Sequence, residues 1–388
     1  NLAVLKGDAT GSIGVKDNNR DYAAFGWQNA LTKRIETGDI SHSLTAGLRL
    51  HYDYIDRFQK VDIFNGEGNG VFSPYRRGIA GEEADRKEET FATAIFLEDK
   101  IQMGALILKP GVRGEFLQYD IDDRGDKTDD RLNTWAAGMG ASYDLSASSM
   151  LFGGLYRGIS TPGPNSYVND DVNVEESMSG ELGFRHLAER FAFEVAGFYT
   201  DYENLIGTDA GFGTGDSNVN AGEATVYGVE AQMNASLAPA DAGYQLPAYI
   251  NFTYTQAELD NALDSGGPDD IYSGGKAGAA LPYIPDWKVS FGFSYEVQQL
   301  AVYFDATWVD ESFGTAQNLD APVSSSREGK IDAVFLLDLS ASYALREDFR
   351  LLAGVQNLTD EDYISSRLPH GPRTGAPRSL YTGFEFNW

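Results

Sequence analysis

The chain has 388 residues, a formal net charge of −28 and no cysteine. That charge argues against a nucleic-acid partner, whose phosphates require a basic face, and the missing cysteine excludes disulfides and thiolate metal sites. No run of about 18 apolar residues occurs, so no transmembrane helix is predicted. Mean hydropathy is negative at −0.33, which does not exclude a membrane, because a barrel strand needs only about ten residues, half of them polar.

In chain order, Asn1 is followed by no charged start, apolar core and small-residue cleavage site, so a processed or partial chain is expected. Residues 1–19 read as the end of a strand plus a loop. Alternating segments follow at roughly 21–35, 43–56, 89–102, 105–121, 133–145, 149–159, 175–186, 190–203 and 246–259. Tyr227 to Leu237 alternates Val229, Ala231, Met233 and Ala235 against Gly228, Glu230, Gln232 and Asn234. Trp287 to Val297 sets Trp287, Val289, Phe291, Phe293 and Tyr295 against Lys288, Ser290, Gly292, Ser294 and Glu296. Leu300 to Trp308 and Ala333 to Leu345 repeat the pattern, and the apolar faces of these four segments carry no charge. Successive strand side chains point to opposite faces of a sheet. A cation on a lipid-facing strand position near the midplane costs about 2–4 kcal/mol, so an uncharged face is what a membrane requires.

The connections carry a second signal. Short ones, such as Met103-Gly104, Ser146-Ala-Ser148, Ala188-Glu189, Gln298-Gln299 and Arg346-Glu-Asp348, alternate with long ones at roughly 57–88, 122–132, 160–174, 204–221, 260–285, 312–330 and 364–377. Outer-membrane barrels sort their loops this way, with short periplasmic turns and long extracellular loops. The final stretch, Ser379 to Trp388, sets Leu380, Thr382, Phe384, Phe386 and Trp388 on one face and runs toward the short-turn side. The expected fold is all-β, a transmembrane antiparallel up-and-down barrel of about fifteen strands forming one domain over 1–388. Single-chain bacterial barrels have even strand numbers, so an odd count implies that the first part of the barrel lies outside this chain. No internal repeat of 20–50 residues is evident, which weakens a propeller or solenoid.

Several segments stand in a telling order. They are Phe96-Leu-Glu-Asp-Lys-Ile101 with Leu108-Lys-Pro-Gly-Val-Arg-Gly-Glu115, then Leu155-Tyr-Arg-Gly-Ile-Ser-Thr-Pro162, Glu176-Ser-Met-Ser-Gly-Glu-Leu-Gly183 and Asn220 through Glu230. Gly354-Val-Gln-Asn-Leu-Thr-Asp-Glu-Asp-Tyr363 and Gly375-Ala-Pro-Arg-Ser379 complete the series. Taken in this order, the segments resemble the TonB-dependent outer-membrane receptors. The resemblance implies a barrel of 22 strands around an N-terminal plug, with this chain starting near the seventh or eighth strand. It implies a receptor, not an enzyme, in the outer membrane of a Gram-negative bacterium. The transported ligand would be a ferric siderophore, ferric citrate-like, with no covalently bound cofactor. A TonB-ExbB-ExbD complex would energise import through the plug, and the barrel assembly machinery and lipopolysaccharide would be further partners. The same family admits vitamin B12, haem or a glycan, and a passive porin would explain the loop asymmetry equally well.

Candidate site residues are the cations and aromatics of the predicted long loops: Tyr75, Arg76, Arg77, Tyr167, Arg367, His370 and Arg373. Arginine clamps carboxylates bidentately, while salt bridging within the loops is the alternative reading. Leu380, Phe384, Phe386 and Trp388 resemble the terminal signal read by the assembly machinery. The run Asp122–Asp130 reads as a solvated acidic loop or, less simply, a calcium site; it lacks the EF-hand spacing. Glu115, Glu181, Glu194, Glu230 and Asp305 point to the polar face by alternation, where a water- or protein-filled lumen explains them without catalysis. The four histidines show no metal-ligand spacing.

Overall fold

The computed structural model describes residues 2–207, 219–261, 270–322, 327–368 and 371–387. The described residues form an antiparallel sheet of seventeen strands, fifteen of which pair in sequence order. These are β1 (Arg20–Thr37), β2 (Ile40–Glu67), β3 (Ala84–Met103), β4 (Leu106–Asp123), β5 (Asp126–Ser146), β6 (Ser149–Ser160), β7 (Glu175–Leu187) and β8 (Phe191–Glu203). They continue with β9 (Ala224–Ser236), β10 (Pro247–Leu259), β11 (Trp287–Val297), β12 (Leu300–Val309), β13 (Val334–Arg346), β14 (Phe349–Gln356) and β15 (Ser379–Phe386). Among the described residues β1 pairs only with β2 and β15 only with β14.

The register confirms the two faces. One row runs Met233, Ile250, Phe291, Ala306 and Leu337 across β9 to β13 without a charge. The neighbouring row on the opposite face runs Asn234, Tyr249, Gly292, Asp305 and Asp338. Many large apolar side chains are exposed, Leu182 at 71% and Phe384 at 71% among them. In water so wide an apolar surface would be a liability; in hydrocarbon it is the solvated surface. On that face, charges collect toward the ends. His42 meets Asp99 at 2.7 Å near the short turns, and Lys87 meets Glu89 at 2.9 Å near the long loops. The Arg157 guanidinium lies 4.1 Å from the Trp135 ring centroid.

The polar face is kept open by glycine. Phe96 lies flat where a Gly47 side chain would stand, Phe152 lies over Gly183, and Tyr381 over Gly354. Each ring covers the backbone of the neighbouring strand instead of projecting, a use of strand glycine that only a missing Cβ permits.

The strands toward the chain start are longer than the alternation predicts. β2 has 28 residues, roughly 90 Å at about 3.3 Å per residue. The predicted loop 57–88 is therefore largely strand. Thr10–Asp17 pairs with Lys60–Glu67 of β2, and Phe72–Arg76 pairs with the other side of that extension with a register shift at Ile63/Phe64. Residues 1–19 thus contribute the helix Leu2–Lys6 and this short outer strand. The predicted acidic loop 122–132 is also strand. β4 and β5 continue to a two-residue turn at Arg124 and Gly125, both with positive φ, the type I′ geometry favoured by hairpin twist. Asp122 accepts from the Gly125 N–H at 3.0 Å and lies 3.5 Å from Lys127. Acidity suggested a loop; paired charges and the turn made a ladder. The connection between β9 and β10, by contrast, is longer than the other short turns. Arg190 donates to the Ser236 carbonyl at 3.0 Å there, and also to that of Ala238.

Candidate functional site

Two polar-face features lie at the long-loop end. The first is a cavity of about 420 Å³ on β2, β3 and β4. The register aligns Arg49 with Ala94 and Glu115, and His51 with Ala92 and Leu117. Period-two alternation puts Arg49, His51 and Asp53 on one face of β2, and Arg113, Glu115 and Tyr119 on the same face of β4. Between them β3 offers only Ala92, Ala94 and Thr90, so the floor stays low. Arg113 donates from Nε to Glu115 at 2.6 Å, and a His51 ring nitrogen lies 2.9 Å from Asp53. Among the described residues Arg49 has no hydrogen bond or ion pair.

A strap roofs this cavity. Thr161–Pro164 leaves β6 and crosses above it. Tyr119, a residue 1% exposed, donates from its hydroxyl to the Pro162 carbonyl at 2.8 Å. The helix Pro164–Asp170 continues the strap. Its first turn is tied down where Arg86 donates to Asn165 at 3.2 Å and the Asn165 N–H donates to Glu88 at 3.3 Å. Tyr167 packs on Tyr119 with ring centroids 5.5 Å apart, and burial pushes its phenol above the ordinary value of 10.0.

The second feature is a loop cluster above β8 to β13. Leu205, Ala221, Ala224, Ala257, Leu259, Leu281 and Ala316 form a small apolar core there. Burial raises the pKa of Tyr272, which packs against that core, with Glu175 adding to the effect. The Arg367 side chain donates from Nε and Nη2 to the Lys330 carbonyl at 3.0 and 2.7 Å, and its N–H donates to the Tyr283 hydroxyl at 3.3 Å. Arg367 is 6% exposed. Arg367→Ala is expected to cost about 1–3 kcal/mol of local stability, the price of unsatisfied buried polar groups. Faster amide exchange across Ser312–Phe313 and Lys330–Ile331 is the expected readout; unchanged exchange would contradict a structural role.

The candidate residues do not converge. Tyr75, Arg76 and Arg77 are exposed beside the β2 extension, with Arg76 2.8 Å from Glu82. Arg373 is exposed between β14 and β15, near the far edge of the sheet. Of the predicted set, Tyr167 comes nearest the strapped cavity, packing against its lining residue Tyr119 without lining the cavity itself. His370 and Trp388 lie outside the described residues, while Leu380, Phe384 and Phe386 sit exposed on the apolar face of β15. Alternation identified the carboxylate Glu115, and the motif containing Arg113 was visible, but Arg49, His51, Asp53 and Tyr119 were missed. Their signal was only a polar residue at every second position, which many strands share. Among the described residues no group of three or more His, Asp or Glu is placed to hold a metal.

The Glu82 carboxyl titrates below its ordinary value of 4.5, chiefly through the Ile79 N–H and then through Arg76. A depressed folded pKa contributes stability above the ordinary value and loses it as pH falls through the folded value. Acidification below about 4.5 is therefore expected to loosen residues 76–83 before the sheet, as faster proteolysis of that segment. Equal resistance at pH 7 and pH 3 would refute this coupling.

A family model described as TonB dependent receptor-like, beta-barrel, matches residues 5–358. The vitamin B12 transporter BtuB of Vibrio vulnificus is 26% identical over 290 residues, covering 74% of this chain and 41% of that protein. The ferric enterobactin receptor PirA of Pseudomonas aeruginosa is 25% identical over 308 residues, covering 71% and 38%. The unliganded ferric citrate transporter FecA superposes with a TM-score of 0.77 at 20% identity, covering 96% of this chain and 55% of that one. The chain thus spans about two fifths of the length of these sequence relatives.

Proposed function

We propose, from the premise that this chain belongs to the TonB-dependent receptor β-barrel family, that it lines the path by which a ferric siderophore crosses the outer membrane. Barrels of this family are outer-membrane proteins of Gram-negative bacteria, and the family is one of receptors and transporters. The observation that carries the reading is the pairing of an apolar face whose charges stay near the strand ends with a polar face over which, among the described residues, the strap and the loop cluster fold at the long-loop end. Such a wall collects ligand on one side and guides it through. Strands outside this chain would pair with the free sides of β1 and β15, and a plug would fill the polar face. Energy would arrive from TonB, ExbB and ExbD acting on that plug. Leu380, Phe384, Phe386 and Trp388 would present the last strand to the assembly machinery, and lipopolysaccharide would surround the outer rim. Tyr75, Arg76, Arg77, Tyr167 and Arg373 would meet ligand first, with Arg367 holding the loops behind them.

Growth under iron limitation tests this. Cells lacking their own receptors but carrying the whole protein should be rescued by at least one ferric chelate, and a protonophore should abolish uptake. A corrinoid is the second reading, favoured by the similarity to the vitamin B12 transporter. Rescue of cobalamin auxotrophy without any iron phenotype would replace the first reading by the second. Passive, protonophore-resistant uptake would exclude both.

A further inference from the structure

We propose that the strapped cavity binds one carboxylate group of the transported ligand, with Arg49 as its anchor. This assigns the ligand a chemical class, a carboxylate-bearing iron chelate, and it rests on the reading that the chain lines a transport path. The argument begins with charge. In a chain of net charge −28, the arginines of the polar wall are generally claimed: Arg113 by Glu115, Arg185 by Glu194, Arg350 by Glu385. Arg49 lines a cavity and is claimed by nothing among the described residues. A guanidinium is charged at every physiological pH and presents a planar fork that fits a carboxylate with two parallel hydrogen bonds.

The surroundings narrow the ligand further. Asp53 is already engaged by His51, and Glu115 by Arg113. Those carboxylates stand on either side of the cavity and would repel a dianion such as phosphate, but one singly charged group facing Arg49 is tolerated. The methyl groups of Ala92 and Ala94 leave room beside it for the rest of the ligand. The strap supplies enclosure: Tyr119 holds Pro162 over the site, and the Arg86–Glu88–Asn165 network fixes the following helix. Enclosure lowers the local dielectric, which strengthens a charge-assisted hydrogen bond. Glu115 and Trp135 lie one register step apart on opposite faces. The site therefore sits at the level of Trp135 on the apolar face, toward the long-loop end from which ligand arrives.

The test uses the whole protein, purified in detergent, and isothermal titration calorimetry. The probes are ferric citrate, whose free carboxylates suit the site, and a ferric tris-catecholate without any. Wild type should bind ferric citrate, and Arg49→Gln should weaken it about ten- to a hundredfold, the range for losing one charge-assisted contact. Arg49→Lys should recover part of the loss, since the charge returns without the fork. Arg350→Gln, at the short-turn end, should leave binding unchanged. Catecholate binding, if any, should be indifferent to Arg49. The proposal is overturned if wild type does not bind ferric citrate, or if Arg49→Gln binds it as well as wild type. A lowered melting temperature with unchanged affinity would mean that Arg49 serves a carboxylate of the protein itself, which also overturns it. Protonophore-sensitive uptake of any ferric chelate in cells stands or falls separately, so failure here leaves the transport reading intact.

Discussion

Phe291→Arg is expected to cost about 2–4 kcal/mol of stability in a bilayer, while Ser290→Arg, one residue away, is expected to be close to neutral. Phe291 lies between Ile250 and Ala306 in the middle of the uncharged row. A guanidinium there must either desolvate in hydrocarbon or drag water inward. Ser290 faces the polar side, where its hydroxyl lies 3.2 Å from that of Thr307, and an arginine can extend into a wet or protein-lined lumen. Folding of the whole protein into vesicles, followed by denaturant titration, measures both variants. Equal costs would mean that the two faces are wrongly assigned, and with them the direction in which every side chain of the sheet points.

Gly228→Ala should be the most damaging methyl addition on the polar face. Its new Cβ would run into the Tyr254 carbonyl, which is backbone and cannot swing aside, and would lie 2.8 Å from the Phe198 ring. Overpacking of this kind costs about 1–3 kcal/mol, expected as reduced insertion yield and a lower melting temperature. Gly140→Ala is the matched control, because it too is flanked by strands on both sides and its Cβ position meets only the Tyr156 hydroxyl at 3.6 Å and the Lys109 Cβ at 3.9 Å, which is ordinary contact. Alanine is also the better strand former, so Gly140→Ala should be neutral or slightly stabilising. If both variants behave alike, the damage at Gly228 comes from the general cost of altering a strand glycine, not from the clash.

How far the sequence revealed these features depends on the interaction concerned. The strand from Trp287 to Val297 was legible to the residue, because a membrane enforces alternation on one face with an energy penalty. The directions of the strands followed from loop lengths. The outer ends were not legible. Above the membrane the apolar constraint lapses, and residues such as Asp122, Lys127 and Asp130 read as loop although cross-strand pairing keeps them in a ladder. Arg124-Gly125 is a turn whose signal is backbone geometry rather than composition. The cavity was less legible still. Arg49, Arg113 and Tyr119 are brought together by the register of β2, β3 and β4, and by a strap that returns from β6. A sequence gives neither register nor return path. Arg367 shows what composition leaves out: it was visible as a cation in a long loop, and only the structure adds that its side chain donates to the Lys330 backbone carbonyl.

The unbroken length of β2 has a mechanical consequence. Its outer part carries Thr10–Asp17 on one side and Phe72–Arg76 on the other, so the tip is a braced ribbon rather than a loose thread. The first irregularity in that ribbon lies at Ile63/Phe64, beyond Arg49 and His51. Asn65 and Arg49 are separated by roughly 50 Å of strand at about 3.3 Å per residue. Between that irregularity and Arg49 the strand is continuous, so the outermost ribbon and one wall of the strapped cavity belong to a single unbroken segment.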